Sequence, residues 1–248
     1  MSTFTQLFNV PQSGMRQNML DLDTVSNNLA NINTEGFKES RLDFQELLDK
    51  NILEGTYSAG QTVNLTQGSL KTTNRDMDWA ISGNGFFGIQ KTDGTMAYTR
   101  NGSFSIDSNH KITNSDGLPL VWSGSLPDNA QNVHIDNNGN VFYNLGTNTG
   151  TDIKAGTVSL YRFVNPSGLQ NDGNNLLLAT TASGTAINGQ ANANGMGLIQ
   201  GDTLESSNVD LSSQMSHMLL VERIFQTTSK ALQQSNTMLS EAIHMRQA

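Results

Sequence analysis

Residues 211–242 read LSSQMSHMLLVERIFQTTSKALQQSNTMLSEA, and every seventh position of this stretch is apolar. Seven residues make about two turns of an α-helix, so these side chains form one stripe along a helix. A strict repeat of seven favours packing against a partner helix as in a coiled coil. The stretch therefore predicts a helix over 211–245. Its stripe consists of Leu211, Met218, Phe225, Leu232 and Leu239, with Met215, Val221, Thr228, Ser235 and Ala242 as companions.

The first part of the chain has a matching pattern, because apolar residues again recur at every seventh position. The pattern predicts a helix over 11–31, with Pro11 in its first turn, where a missing N–H removes no hydrogen bond. The next position of the repeat is Gly36, a helix breaker, so the stripe and the helix end together. We expect this helix to pair with the C-terminal one. Its stripe consists of Phe8, Met15, Leu22 and Leu29.

The middle of the chain predicts a β domain. Short apolar runs alternate with turn signals about every ten residues, which is typical of antiparallel strands. Dipeptides such as Asp93-Gly94 and Asn138-Gly139 suit tight turns with positive φ. We expect strands at 79–82, 86–90, 96–100, 104–107, 111–114, 118–122, 133–136, 141–143, 158–163 and 176–179, and a loose loop over the Gly- and Asn-rich residues 180–200.

These patterns together predict an α+β fold. Long N- and C-terminal helices pair as a coiled coil, and a central, mainly antiparallel β domain is inserted between them. The boundaries between the parts are placed where amino-acid composition and charge change along the chain. The predicted parts are the N-terminal helix (1–33), a connecting segment (34–75), the central β domain (76–200), a return connection (201–210) and the C-terminal helix (211–248).

Composition excludes several classes of protein. The 248 residues carry a net charge of −8, which argues against nucleic-acid binding because phosphate neutralisation needs a surplus of Lys and Arg. No apolar run approaches the length of a membrane-spanning helix. The first twenty residues lack the basic and apolar regions of a Sec-type signal peptide, so we expect none. The chain has no cysteine, which excludes disulfides and thiolate chemistry.

Motifs for enzymatic chemistry are weak. Residues 83–88 match G-x-G-x-x-G, but a strand and a turn follow where dinucleotide binding needs a helix. Asp136, Asn138 and Asn140 have the spacing of a calcium loop, but Val141 stands where an EF-hand needs glycine. The four histidines lack a metal-ligand spacing. We therefore expect no catalytic residue, no cofactor and no metal site.

Three blocks of the sequence resemble the flagellar hook and rod axial protein family. Residues 26–38, SNNLANINTEGFK, are similar to its N-N-L-A-N and T-x-G-[FY]-[KR] signature. Residues 83–87 and 98–104 are similar to its GxGFF and YTRxGxF motifs, and residues 201–211 and 220–226 to its C-terminal blocks. The signature residues are Asn27, Asn28, Leu29, Ala30, Asn31, Thr34, Gly36, Phe37, Gly83, Gly85, Arg100, Gly102, Asn208 and Arg223.

The length resembles that of the rod members of this family, the FlgF/FlgG type. The resemblance implies a structural subunit of the bacterial flagellar basal body that polymerises helically around a central export channel. It also implies passage through the flagellar type III export apparatus and contacts with copies of itself and with other rod and hook subunits. The inner helical contacts between subunits would be made by Phe8, Met15, Leu22, Leu29, Leu211, Met218, Phe225, Leu232 and Leu239.

Two alternatives come from other classes. The first is a secreted β-domain adhesin or glycan-binding module that its terminal helices dimerise. Its weakness is an aromatic content of only 6%, since sugar platforms use exposed Trp and Tyr. The second is an enzyme that uses a carboxylate cluster such as Asp76 and Asp78, for which the sequence suggests no substrate.

Overall fold

The computed structural model describes residues 2–46, 56–145 and 152–247. Two helices and a large antiparallel sheet make it an α+β protein, as predicted. The chain divides into two compact units. A helical unit contains residues 1–30, 40–62 and 209–248, and a β unit contains residues 31–39 and 63–208.

The helical unit is built from both ends of the chain. Its elements are α1 (Ser2–Ala30), β1 (Ser40–Glu46), β2 (Thr56–Val63, whose last residue falls in the β unit) and α2 (Leu211–Gln247). Strands β1 and β2 pair with each other, and α1 packs on α2. Asn28 near the end of α1 contacts Gln214 in the first turn of α2, so the two helices run antiparallel.

The two long helices confirm the main sequence prediction, but the predicted start of the first one is wrong. Helix α1 begins at Ser2, so Pro11 lies inside the helix rather than in its first turn. The apolar repeat already begins at Phe8, before the proline, and the helix follows that repeat. The prediction rested on the tolerance of proline in a first turn, whereas an interior proline removes a backbone hydrogen bond and costs a helix about 3 kcal/mol.

Burial along the helices shows which faces are covered within the unit. The covered face is partly polar, because it includes Gln17, Thr24 and Asn28 on α1 and Gln214 on α2. Val25 and Val221 are the buried apolar residues among the described side chains of α1 and α2. The stripe residues Met15, Leu22, Leu29, Met218 and Leu232 are half-buried, whereas Leu211 and Phe225 are exposed. Phe8 and Leu239 lie in the helices, and their side chains are outside the described part of the structure.

The β unit consists of short strands joined by tight turns. Its strands are β3 (Leu70–Thr72), β4 (Trp79–Ser82), β5 (Phe86–Gln90), β6 (Met96–Thr99), β7 (Ser105–Ile106), β8 (Ile112–Thr113), β9 (Trp122–Gly124), β10 (Ala130–Ile135), β11 (Asn140–Leu145), β12 (Ile153–Arg162), β13 (Gln170–Gly173), β14 (Leu176–Leu178), β15 (Ile187–Gln190), β16 (Leu198–Gly201) and β17 (Thr203–Glu205). A short 3-10 helix, Pro166–Gly168, precedes β13.

One antiparallel sheet of nine strands organises this unit. Its order is β10-β11-β12-β5-β6-β14-β13, and β9 and β15 also pair with β12. Three smaller pairs, β16 with β4, β17 with β3 and β7 with β8, are antiparallel too. Strand β12 is long enough to bond with four other strands, which explains its central position.

Both faces of β5 and β6 are buried, which explains why their sequences are mostly apolar. Phe87 and Ile89 of β5 point into the larger core cluster, whereas Phe86 belongs to a second, smaller cluster. Successive side chains of a strand point to opposite faces, so neighbouring phenylalanines enter different clusters. In the larger cluster, the ring centroid of Phe104 lies 5.2 Å from that of Trp79 and 5.2 Å from that of Phe87.

Two strand predictions are wrong. Residues 180–200 are not a loose loop, because they contain β15 and the start of β16. Strand β15 is exposed at three of its four residues, and β16 has only two apolar residues, so neither shows the apolar alternation by which a strand is recognised. The predicted strand 118–122 is displaced, since Trp122 begins β9 and Pro119 and Leu120 form only isolated bridges.

Candidate functional site

The described parts of the two helices expose many large apolar side chains. Leu219, Leu220 and Met238 of α2 are 57%, 54% and 61% exposed, and Met19 of α1 is 55% exposed. Among the helix residues whose side chains the structure describes, the other exposed large apolar ones are Leu20, Leu211, Met215, Ile224 and Phe225. Scattered apolar residues are ordinary on a surface, but a series along one helix is typical of a surface that another chain covers. We call these nine residues the outer apolar surface.

Polar side chains fix how the two helices meet. Asn28 donates a hydrogen bond of 2.8 Å to the Ser40 carbonyl and accepts one of 2.9 Å from the Ser40 amide. It also donates to Gln214 Oε1 at 3.3 Å. Between the helices, Asp21 Oδ2 lies 3.0 Å from His217 Nε2. Because hydrogen bonds are directional, this set specifies the register of α1 on α2 more strictly than apolar contact would.

Three charged residues from distant parts of the sequence meet inside the β unit. Glu205 is completely buried, and its Oε1 accepts hydrogen bonds from Lys38 Nζ at 2.5 Å and from the Gly68 amide at 2.9 Å. Its Oε2 lies 3.5 Å from Arg100 Nη1. The side chains of Lys38 and Arg100 are only 4% and 5% exposed. We call Lys38, Arg100 and Glu205 the signature cluster.

Further contacts hold the two cations of the signature cluster. Lys38 Nζ donates to the Thr66 carbonyl at 2.8 Å. Arg100 Nη2 donates to the Gly83 carbonyl at 2.8 Å, and its guanidinium lies 5.2 Å from the centroid of the Phe86 ring. Burial lowers the pKa of Lys38, and the negative charge of Glu205 offsets part of that effect. Burial likewise lowers the pKa of Arg100.

The backbone of the N-terminal signature is fixed at the same cluster. Gly36 has a φ of +66°, and a Cβ there would overlap the backbone nitrogen of Asn101. Its amide donates to the Glu205 carbonyl at 2.6 Å. Asn208 accepts from the Glu39 amide at 2.8 Å and donates to the carbonyl of Thr66 at 3.0 Å. The positive φ of Gly36, its backbone amide and the side-chain amide of Asn208 thus hold the segment 31–39 in one conformation.

Glycines of the middle signature make close approaches possible. A Cβ at Gly102 would overlap the carbonyl of Trp79. Gly83 and Gly85 have φ values of +108° and +141°, which residues with a Cβ rarely adopt. Strand β5 follows them, so residues 83–88 do not have the helix that dinucleotide binding requires.

The structure brings some signature residues together and separates others. Gly36, Phe37, Gly83, Arg100, Gly102 and Asn208 all lie around the signature cluster or the backbone next to it. Thr34 donates to the Asn31 side chain at 3.1 Å in the turn that follows α1. Asn27, Ala30 and Arg223 are exposed on the helices, and Leu29 is half-buried.

Sequence reasoning missed Lys38, Glu205 and Gln214 as key residues. Lys38 and Glu205 stand inside the quoted motifs, which was the available signal. A charged residue within an apolar or glycine-rich motif is a candidate for a buried ion pair. Gln214 had no such signal, because the heptad pattern drew attention to its apolar neighbour Met215.

The described residues offer little for catalysis. They contain no group of three or more His, Asp or Glu side chains that could hold a metal ion. Neither described helix is long and apolar enough to cross a membrane. The two best-formed cavities in the described part have volumes of about 20 and about 340 Å³, and the larger is an open surface depression beside the Lys91–Asp172 ion pair.

Comparisons with known proteins match these same regions. The family model for flagella basal body rod proteins matches residues 8–38. The model for the flagellar hook protein FlgE/F/G D1 domain matches residues 80–143, and that for the flagellar basal body rod FlgEFG protein C-terminal region matches residues 200–245. Each range includes one of the signature blocks and one member of the signature cluster.

Among curated proteins, the flagellar basal-body rod protein FlgG of Borreliella burgdorferi is 34% identical to this chain. The FlgG of Buchnera aphidicola from Acyrthosiphon pisum is 33% identical, and both alignments cover 94% of this chain and 96% of the relative. The flagellar hook-basal body complex protein FlhP of Bacillus subtilis is 29% identical over 91% of this chain and 93% of its own length.

Proposed function

The protein belongs to the family of flagellar basal-body rod proteins, and from this membership we infer that it is a structural subunit of the basal-body rod. The observation that carries this inference is the match to FlgG proteins at 33–34% identity over nearly the whole length of both chains. The protein therefore acts in the flagellar basal body, by assembling rather than by catalysis. The adhesin and enzyme alternatives find no support among these relatives.

We further propose that the terminal helices form the contacts between subunits. On this proposal the subunits polymerise helically, as part of the hollow shaft that joins motor to hook, and their helices pack as coiled coils. The outer apolar surface supports it, because each of these half-exposed side chains contributes roughly 1 kcal/mol when a neighbouring chain covers it. The predicted contact residues are Phe8, Met15, Leu22, Leu29, Leu211, Met218, Phe225, Leu232 and Leu239.

The division of the structure into a helical unit built from both chain ends and a separate β unit supports the same proposal. With the predicted parts 1–33, 34–75, 76–200, 201–210 and 211–248, we propose that the two ends assemble and that the β domain contacts other basal-body components. The proposed partners are copies of this chain, other rod and hook subunits, and the flagellar type III export apparatus. Passage through that apparatus as an unfolded chain would be followed by pairing of the helices on the growing rod.

Substitution of Phe225 tests this proposal. Phe225 is 36% exposed in the middle of α2, so alanine there removes contact area that a neighbouring chain could cover. The control is Gln226→Ala, because Gln226 is the next residue, exposed and polar. In a host that lacks its own copy of the protein, we expect Phe225→Ala to reduce the rods in isolated basal bodies several-fold, whereas Gln226→Ala restores them.

A fluorescence measurement tests whether the β unit still folds in the Phe225→Ala protein. Both tryptophans, Trp79 and Trp122, lie in the β unit, so their fluorescence reports the folding of that unit alone. We expect Phe225→Ala to leave the urea midpoint of this signal unchanged. Wild-type numbers of rods in the Phe225→Ala strain would contradict the assignment of α2 to subunit contacts.

A further inference from the structure

A small cavity lies beside the signature cluster in the β unit. Its volume is about 20 Å³, which is enough for one water molecule or one monatomic ion, since a single water needs about 10–15 Å³. Among the residues that line it are Lys38, Arg100, Asn171 and Asn175, and none of the eight described lining residues is acidic.

The charges around this cavity do not balance. The signature cluster contains two cations, Lys38 and Arg100, and one anion, Glu205, and all three are buried. The acidic residues nearest to Lys38 in the sequence do not supply the missing negative charge. Glu35 is exposed, and Glu39 is half-buried, where it accepts a hydrogen bond from the side-chain amide of Asn64. A buried net positive charge is costly unless a counter-charge accompanies it.

The residues that line the cavity carry many hydrogen-bond donors. Arg100 Nε is buried and has no hydrogen-bond partner among the described residues. An ammonium group has three N–H bonds, and Lys38 Nζ donates to two protein acceptors, Glu205 and the Thr66 carbonyl. Asn175 uses one hydrogen of its amide on the Glu35 carbonyl. A guanidinium, an ammonium and amide groups around a space of this size form a donor set for a small anion.

We propose that the signature cluster binds one monovalent anion of the size of chloride in this cavity, between Lys38 and Arg100. The negative charge of the bound anion balances the second cation, because the single carboxylate of Glu205 neutralises only one. It also connects the segment 31–39 to strand β6, because Lys38 belongs to the first and Arg100 directly follows the second. The site is independent of the assembly function, since all of its residues lie in the β unit.

Thermal unfolding of the full chain in two salts tests this proposal. Sodium chloride is exchanged for sodium gluconate at constant ionic strength, and tryptophan fluorescence follows the β unit. Ligand binding to the folded state raises the unfolding midpoint by about 3–5 °C for each tenfold increase in chloride above its dissociation constant. We expect bromide to replace chloride with a similar effect, and gluconate to have none.

Variants locate the effect. Arg100→Lys keeps the charge but removes the Nε–H donor, and we expect it to abolish at least half of the chloride-dependent shift. The control is Lys91→Gln, because Lys91 is a cation of the same unit that pairs with Asp172 at the surface. We expect this control to keep the whole shift. Equal midpoints in chloride and gluconate for the wild-type protein would overturn the proposal, as would an undiminished shift in Arg100→Lys.

A second measurement applies even if Arg100→Lys does not fold. Rapid exchange with a protein site broadens the ³⁵Cl resonance of chloride in solution, and bromide reverses the broadening by competition. We expect the wild-type protein to broaden this resonance and Lys91→Gln to broaden it equally. A ³⁵Cl linewidth that bromide does not reduce would mean that only water occupies the cavity.

Discussion

Glu205→Gln is the substitution that most directly tests the signature cluster. The change keeps the shape of the side chain and removes its charge. In the folded protein one carboxylate oxygen accepts from Lys38 and the Gly68 amide, and the other faces Arg100. The amide nitrogen of glutamine carries hydrogens, so on one side a donor would face another donor. Two buried cations would remain without their carboxylate.

The expected loss of stability follows from this geometry. Removing one partner of a buried ion pair costs about 3–5 kcal/mol, because the remaining charge is buried without compensation. Lys38, Arg100 and Glu205 are each at least nineteen-twentieths buried at the side chain, so solvent screens them little. For a unit of this size, 1 kcal/mol corresponds to about 2–4 °C, so the unfolding midpoint should fall by about 6–20 °C.

Urea unfolding followed by tryptophan fluorescence measures this loss. The matched control is Glu39→Gln, because Glu39 is a half-buried glutamate of the same unit, and its carboxylate accepts a hydrogen bond from Asn64 at 3.0 Å. We expect the control to lose less than about 1 kcal/mol. A Glu205→Gln protein within about 1 kcal/mol of wild type would refute the view that this cluster holds the β unit together.

Two further predictions concern glycine geometry and tyrosine ionisation. Gly36→Ala should destabilise the β unit by about 3 kcal/mol or more, because the new Cβ would overlap backbone atoms. Gly94 also has a positive φ, of +83°, but open space around it. Gly94→Ala should therefore reduce the free energy of unfolding by only about 1–2 kcal/mol in the same urea experiment. Burial raises the pKa of Tyr98 and of Tyr161, so their contribution to stability is complete below about pH 10 and is lost as the pH rises through the raised pKa values. Replacing both tyrosines with phenylalanine should therefore reduce the fall of the urea midpoint as the pH rises above about 10, and an unchanged fall would contradict this cause.

Local periodicity explains why much of the fold could be predicted. The repeat of seven that includes Met218 and Leu232 identified α2, and the apolar run at Phe86 identified β5. These patterns repeat over a few residues, so they are visible without knowledge of the partner. The same logic failed for β15, where glycine and asparagine carry no alternation, and at Pro11, where a local rule for helix starts gave way to a repeat that began earlier.

The sequence alone determined that helices with an apolar repeat of seven lie at both ends of the chain and that a β domain lies between them in sequence. It also determined the signature of an axial protein family. Only the tertiary structure decided that Lys38 and Arg100 share one buried carboxylate, because these residues lie 167 and 105 positions from Glu205. A helix that follows such a repeat is held by hydrogen bonds between residues close together in the chain. An ion pair is set by where the sheet brings distant segments together, and its strength comes from the burial that this packing creates.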